Sequence, residues 1–366
     1  MQIRGHRRTG RRSPTLAAAL AVSTVLATVG GVAAQSPSAG PLPTPIEPSF
    51  APTAPPVGSL GTPEVDTVTL GYRLPSLNSV AALLIAKDRG FWQECGLADV
   101  QLIQTEQVTP GIASGSLNFG LVETVDTGQA QIDGLPLKVI AGYRPYSRNV
   151  IAVRPEIATP ADLAGKDILL GGTPGTRDFD VRFELLKENG YDLTGVPFNA
   201  VSVDGGSDAW VALLEESKLF MTPIFNRHYE KLKAEGMQFW VDQQDFGSDH
   251  VAANADFVAA NPNTTAAFLC GLIKGIKVWG DPANKEYVLS LGASTGIEIT
   301  DGIRNAYELD IENYKPFDGG WPLDLMEQLF AKNLDGTVDM SQLLALDPLY
   351  AAQAYLGLPL DPAPAQ

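Results

Sequence analysis

The chain has 366 residues, 42 of them acidic against 26 basic, a formal net charge of −16 and two cysteines. That charge argues against nucleic acid or an anionic membrane surface as the partner. The length excludes a disulfide-stapled miniprotein, since roughly 300 residues beyond a leader bury one large core or two.

Arg4, Arg7, Arg8, Arg11 and Arg12 open the chain without an acid, an apolar stretch covers residues 16–29, and Val32-Ala33-Ala34 precede Gln35. Such a segment is an export signal; it is short for a membrane span and lacks a stop-transfer flank. Residues 1–34 are therefore read as a signal peptide of the general secretory route or, given Arg11-Arg12, the twin-arginine route. No cysteine follows for a lipid anchor, and losing five arginines takes the formal charge to −21. The expected location is periplasmic or secreted. Residues 35–63 carry nine prolines among Ser, Thr and Ala, the composition of an extended spacer. In an oxidising compartment Cys95 and Cys270 either pair or remain small buried thiols.

From Val65 onward strands alternate with helices. Residues 65–70 alternate as a strand, and a helix capped within Ser76–Asn78 carries Val80, Leu83, Leu84 and Ile85. Gly90 and Gly96 stand where helices stop. Further strands are expected at 100–103, 118–122, 138–142 and 149–153. Thr159-Pro160 opens a short helix with Asp162 at its positive end. A strand at 168–170 leads through Gly171-Gly172-Thr173-Pro174-Gly175-Thr176 into a helix bearing Phe179, Phe183 and Leu186 on one face and stopped by Gly190. Ser207 caps a helix through Leu214, a strand covers 219–222 and a helix 225–234. Asn261-Pro262 starts an amphipathic helix with Leu269, Leu272, Ile273, Ile276 and Trp279, and the remainder reads as helical. Strands alternating with helices imply parallel sheets covered on both faces.

Catalytic chemistry is sparse. Beyond the leader the histidines are His228 and His250, far apart and without acid or Cys at ligand spacing, so neither a metal nor a cofactor is expected. There is no G-x-S-x-G elbow, and acid pairs such as Asp178 with Asp180 read as a solvated helix face. The Gly171–Thr176 motif fits neither nucleotide fingerprint. It is either a tight turn with a Thr cap or a backbone cradle at a helix start that favours an anion.

The succession ALLIAKDRGFW from Ala82, SGSLNFG from Ser114, and ADLAGK-strand-GGTPGT from Ala161 resembles the solute-binding proteins of ABC importers. The nearest group handles nitrate, aliphatic sulfonates, taurine and thiamine-pyrimidine precursors. The resemblance runs from about Val65 to Trp279. Two departures stand out: Asn118 replaces an acid, and Glu216-Ser-Lys-Leu replaces a Gly-x-x-Asp-Ala turn. It implies an α/β chain of the two-lobe periplasmic-binding-protein fold (type II), parallel-sheet lobes joined by two crossing strands. Lobe 1 is expected over 64–150 and 252–360, lobe 2 over 151–251.

Ligands in such sheets lie beyond the carboxyl ends of strands. On that rule the expected ligand-binding residues are Pro75, Asn78, Glu123, Thr124, Tyr143, Arg144, Thr173, Thr176, Arg177, Asp204, Thr222, Pro223 and Phe225. Tyr143, Tyr146 and Phe225 either pack in a core or stack on a planar ligand; Arg144 and Arg177 either clamp an anion or pair with acids nearby. The resemblance implies a monomeric receptor, not an enzyme, that closes its lobes on a small organic anion or heterocycle of the sulfonate, taurine, nitrate or thiamine-precursor class and hands it to a membrane permease. The alternatives are a ligand-sensing subunit of a membrane receptor and a pyrimidine-synthase-like enzyme, whose His- and Cys-rich centre this chain lacks. Cleavage is expected after Ala34, so N-terminal sequencing of exported protein should begin at Gln35; a chain still starting at Met1 refutes the leader.

Overall fold

The computed structural model describes residues 42–45 and 58–363. The signal segment with its cleavage point, most of the proline-rich spacer and the side chain of Arg177 lie outside the described residues.

Strand β1 (Thr67–Tyr72) passes through Ser76 into α1 (Leu77–Asp88). Gly90, at φ 65°, ends that helix and opens α2 (Phe91–Glu94); Gly96, at φ 105°, turns the chain into β2 (Asp99–Gln104). Only glycine takes those angles without strain. There follow α3 (Val108–Ala113), β3 (Phe119–Glu123), α4 (Thr124–Ile132) and the long β4 (Leu137–Val153). A turn boxed by Thr159 and Asp162 leads to β5 (Asp167–Ile168), α5 (Arg177–Glu188) and β6 (Asn199–Ala200). Next come α6 (Gly206–Glu215), β7 (Met221–Ile224), α7 (Asn226–Ala234) and the second long strand, β8 (Gln238–Asn254). The remainder is helical: α8 (Ala255–Ala260), α9 (Pro262–Trp279), α10 (Lys285–Ser294), α11 (Asp301–Ile311), α12 (Leu323–Asn333), α13 (Met340–Leu343) and α14 (Asp347–Tyr355).

The strands form one mixed sheet in the order β2-β1-β3-β8-β4-β7-β5-β6. β1 runs parallel to β2 and β3, and β5 runs parallel to β6 and β7. Between these parallel ends β4 and β8 pair antiparallel from Leu137↔Asn254 to Val153↔Gln238, with register shifts near Ala141, Arg144, Tyr146 and Ala152. The strands expected at 138–142 and 149–153 are thus one strand. The polar run Arg144, Ser147, Arg148, Asn149 reads locally as a loop, yet it is paired with β8. Most of β8 was likewise illegible, because Asp242, Gln243, Gln244, Gly247 and Asp249 have low strand propensity and only their partner strand holds them extended.

The larger core gathers both faces of β1–β3 and the C-terminal helices around Trp92, Phe119, Phe268, Trp279 and Tyr307. Gly275 lets α9 close on α1, since a Cβ there would meet the Ala82 carbonyl oxygen at 2.3 Å. Two smaller cores flank the other end of the sheet, one around Ile151, Leu170, Leu186 and Trp240, the other around Val150, Val211, Leu214 and Leu232. The halves therefore change core between Tyr143 and Val150 on β4 and between Val241 and Val251 on β8. On β8 that change precedes the boundary expected at 251. Leu60, within the expected spacer, is buried in the larger core, and Glu64 accepts the Thr264 N–H at 2.8 Å. Ordered packing thus begins before Pro63.

Cys95 and Cys270 are bonded, tying the end of α2 to α9 across 175 residues of sequence that include the whole second half. Both sulfurs lie in the larger core, so the bond closes the discontinuous half on itself. Replacing both cysteines with Ala should lower unfolding stability by about 2–5 kcal/mol and abolish the effect of reductant on the urea midpoint. An unchanged midpoint would show that the bond constrains nothing the core does not already hold.

Candidate functional site

The parallel strands of both halves aim their carboxyl ends at the same place. Glu123, ending β3, stands opposite Asp249, and Ile224, ending β7, stands opposite Val150. The middle of the β4–β8 ribbon is thus the floor of a crevice bounded by the loops that follow β1, β3, β5 and β7, where ligands of such sheets bind. On the first-half side lies a pocket of about 190 Å³ lined by Tyr72, Leu74, Ser79, Glu106, Asp126 and Arg144, among others.

The expected residues divide sharply. Pro75 is exposed in the turn before α1, and Asn78 is half-buried, its carbonyl accepting the Tyr314 hydroxyl. Glu123 meets Arg73 at 3.0 Å. Thr124 is fully buried; its hydroxyl donates to the Ser248 carbonyl at 2.7 Å and lies 2.9 Å from His250 Nδ1. Having donated once, that oxygen accepts the Nδ1 proton, which sets the tautomer. Tyr143 and Arg144 lie within β4 rather than in a loop after it. Tyr143 is a core residue, 1% exposed, its hydroxyl donating to the Ser79 carbonyl at 2.8 Å. Arg144 faces the pocket but is held by Asp249 at 2.7 Å.

In the second half, Thr173 and Thr176 are exposed ahead of α5. Thr176 occupies the N-cap position, but its hydroxyl donates to the Thr173 carbonyl at 2.8 Å and caps nothing. The Gly175 N–H, a natural donor to an anion, is given to Asp180 at 3.1 Å. Arg177 begins α5, its side chain outside the description. Asp204 is exposed before α6, whose N-cap is Gly205 rather than Ser207. Thr222 and Pro223 are buried inside β7 and paired with Ala152 and Ile151, away from the crevice surface. Phe225, by contrast, is 55% exposed at the start of α7 with the Arg227 guanidinium 5.3 Å from its ring. Glu123 and Arg144 thus line the first-half pocket and Phe225 is exposed just past the end of β7, whereas Thr124, Tyr143, Thr222 and Pro223 are buried.

Other residues at the crevice gave weaker signals or none. Arg73 and Glu106 follow β1 and β2, so the carboxyl-end rule applied to every strand would have found them. Asp126 sits in the first turn of α4, three residues past the end of β3, and Asp249 emerges only from the β3–β8 pairing. Ser207, Asp208, Arg227 and His228 cluster where α6 and α7 begin: Arg227 donates to Ser207 at 2.7 Å and to Asp208 at 3.0 Å. Ser207 and Asp208 both approach His228 at Nε2, at 3.1 and 3.2 Å. A catalytic relay needs the acid on the other ring nitrogen, so these three do not form one. Burial, then the Arg227 charge, pulls the His228 pKa down to about 4.

Asp310 of α11 joins the halves. Its carboxylate accepts the Asn226 amide N–H of α7 at 2.8 Å. Burial pushes its pKa up to about 6 against the pull of Asn226, Arg144, Asn78 and Arg227. A raised carboxyl contributes stability that is full below its unfolded value near 4 and is lost as pH climbs through about 6. Asp310→Asn keeps an acceptor for Asn226 and stays neutral at every pH. Its melting temperature should match the parent's near pH 4 and exceed it by a few degrees at pH 7; a gap independent of pH would remove Asp310 from the linkage.

A family model described as NMT1/THI5 like matches residues 78–284. No match was found among curated proteins. The periplasmic sulfonate-binding protein SsuA from Methylobacillus flagellatus KT superposes with a TM-score of 0.61 at 17% identity, over 81% of this chain and 96% of that one. SsuA from Escherichia coli, an aliphatic sulphonate binding protein, gives 0.54 at 16% identity over 76% and 92%. The desulfurization enzyme DSZB gives 0.53 at 15% identity over 78% and 98%. At such identities these likenesses establish the fold, that of periplasmic binding proteins. Because the family match spans more than half of its 366 residues, the chain belongs to the NMT1/THI5-like family.

Proposed function

We propose that the chain is an extracytoplasmic solute-binding receptor that delivers a small molecule to an ABC importer. The observation that carries this reading is the crevice itself. Two parallel half-sheets point their carboxyl ends at one ribbon of two crossing strands, so a ligand seated there touches both halves. We take residues 64–150 with 252–360 as one lobe and 151–251 as the other. The polar middle of β4 and β8 is the hinge, and a ligand that bridges both lobes biases an open–closed equilibrium toward the closed form.

Family membership and the sulfonate-binding structures of like fold support the reading. The Cys95–Cys270 bond also supports it, since such bonds persist outside the cytoplasm. Among the described residues no helix is long and apolar enough to cross a membrane. The likeness to DSZB keeps an enzyme in view, but the residues favour binding: neither cysteine is free as a thiolate, and Ser207 is 1% exposed with its hydroxyl held by Arg227.

The test uses mature protein refolded to strip retained ligand. A thermal-shift panel of sulfonates, taurine, nitrate, amines and aminopyrimidines should contain a compound that raises the melting temperature. Small-angle scattering at saturation should then show a smaller radius of gyration. Stabilisation with an unchanged radius would leave a rigid pocket and remove lobe closure; no stabilising compound would remove the receptor reading.

A further inference from the structure

Two helices from different halves meet away from the crossing strands. α11 belongs to the larger core: Tyr307 and Ile311 are buried there, and the Tyr307 hydroxyl donates to the Trp279 carbonyl at 3.0 Å. Ion pairs of Arg304 with Glu286 at 2.6 Å and of Lys285 with Glu308 at 3.0 Å hold it to α10. α7 belongs to a smaller core through Leu232, which is fully buried, and Tyr229, whose ring stacks on Phe239 at 4.6 Å. α11 nonetheless packs against α7. Gly302 brings it so close that a Cβ there would meet the Arg227 carbonyl oxygen at 2.4 Å, and Asp310 accepts the Asn226 amide N–H at 2.8 Å. Asn226 opens α7 just past the end of β7, so the seam sits beside one of the loops that bound the crevice.

The seam is close but incompletely satisfied. Asn226 is 9% exposed and gives its amide nitrogen to Asp310, because a carboxylate only accepts. Its Oδ1 is left buried with no donor among the described residues. Native structures rarely keep such a bare acceptor, and water relieves it. The Asp310 carboxyl is desolvated as well, which pushes its pKa up to about 6. Both penalties fall when α7 and α11 separate and water enters between them. Halves joined by a polar contact of this kind move against one another, whereas a large apolar interface stays shut.

We propose that the α7–α11 seam is a latch: it holds the two halves together without a ligand, and it parts when the crevice opens to admit one. A rotation about the ribbon leaves the β4–β8 ladder paired but moves elements of one core against elements of the other. This helix pair is such a contact. The close approach at Gly302 makes it two-state, since α11 either sits against the Arg227 carbonyl or loses that packing altogether. The inference rests on the two-lobe receptor reading for its purpose but not for its test, because the seam is parted by substitution alone.

The experiment is small-angle scattering with amide hydrogen exchange on refolded, ligand-free mature protein. Gly302 lies in the first turn of α11, so Gly302→Ala suits the helix while its methyl group wedges against the Arg227 carbonyl. Asn226→Ala removes the bond to Asp310. Each variant, its fold verified by circular dichroism, should show a larger radius of gyration than the parent and faster exchange in α7 and α11, with β4 and β8 exchanging as before. Asp310→Asn, which keeps an acceptor for Asn226, should retain the parent's radius. An unchanged radius in both wedge and bond variants overturns the latch, and so does faster exchange spread evenly through both cores. The receptor reading survives either result if a compound of the thermal-shift panel still stabilises the protein. A larger radius with no stabilising compound keeps the latch and removes the receptor.

Discussion

Everything in this molecule hangs on the pairing of β4 with β8. Two 17-residue strands lie antiparallel along their whole length, and each passes from the larger core to the smaller ones. A strand is stiff only while its ladder is satisfied, and this pairing runs on through the polar middle despite the register shifts near Arg144 and Tyr146. Strand pairing thereby sets the distance between the halves, brings β3 and β7 in from opposite ends, and makes their carboxyl ends face one another. Side chains at the crossing, such as Arg148 with Asp242 and Asn149 with Asp245, satisfy one another there without demanding burial. The ribbon can therefore be polar, bulged and solvent-facing at its centre while remaining a structural spine.

The second constraint is electrostatic. In this acidic chain the described arginines Arg73, Arg144, Arg182 and Arg227 each pair with a carboxylate. Arg144 illustrates the effect: burial opposes its charge, while Asp249 and the tyrosines around it hold the proton in place. Its positive charge is part of the floor and is not exposed to a ligand as a free cation. The same pairing logic joins the halves through Asn226 and Asp310, where the desolvation of a single carboxyl makes the seam sensitive to pH.

Much of the fold was legible in the sequence because its signals are local. The strand of Val68 and Leu70, the glycine stops at 90, 96 and 190, the Thr159–Asp162 box and the Pro262 helix start each depend on residues within a turn of one another. The site was less legible. The carboxyl-end rule points to Glu123, which lines the first-half pocket, but it treats every residue after an apolar run as a loop. Tyr143, Thr222 and Pro223 lie within strands that continue past the point where the apolar pattern fades, and they are buried.

The sequence alone determined the alternation of strands and helices, several helix stops and the leader-like composition, since hydrophobic period, capping and glycine conformation act over a few residues. Tertiary structure alone decided that Cys95 meets Cys270, that residues 138–153 form one strand, that Arg144 is neutralised by Asp249, and that Asp310 reaches Asn226. Each of these joins segments distant in the chain. Pairing register and desolvation depend on which segment arrives alongside, and only the assembled sheet supplies that.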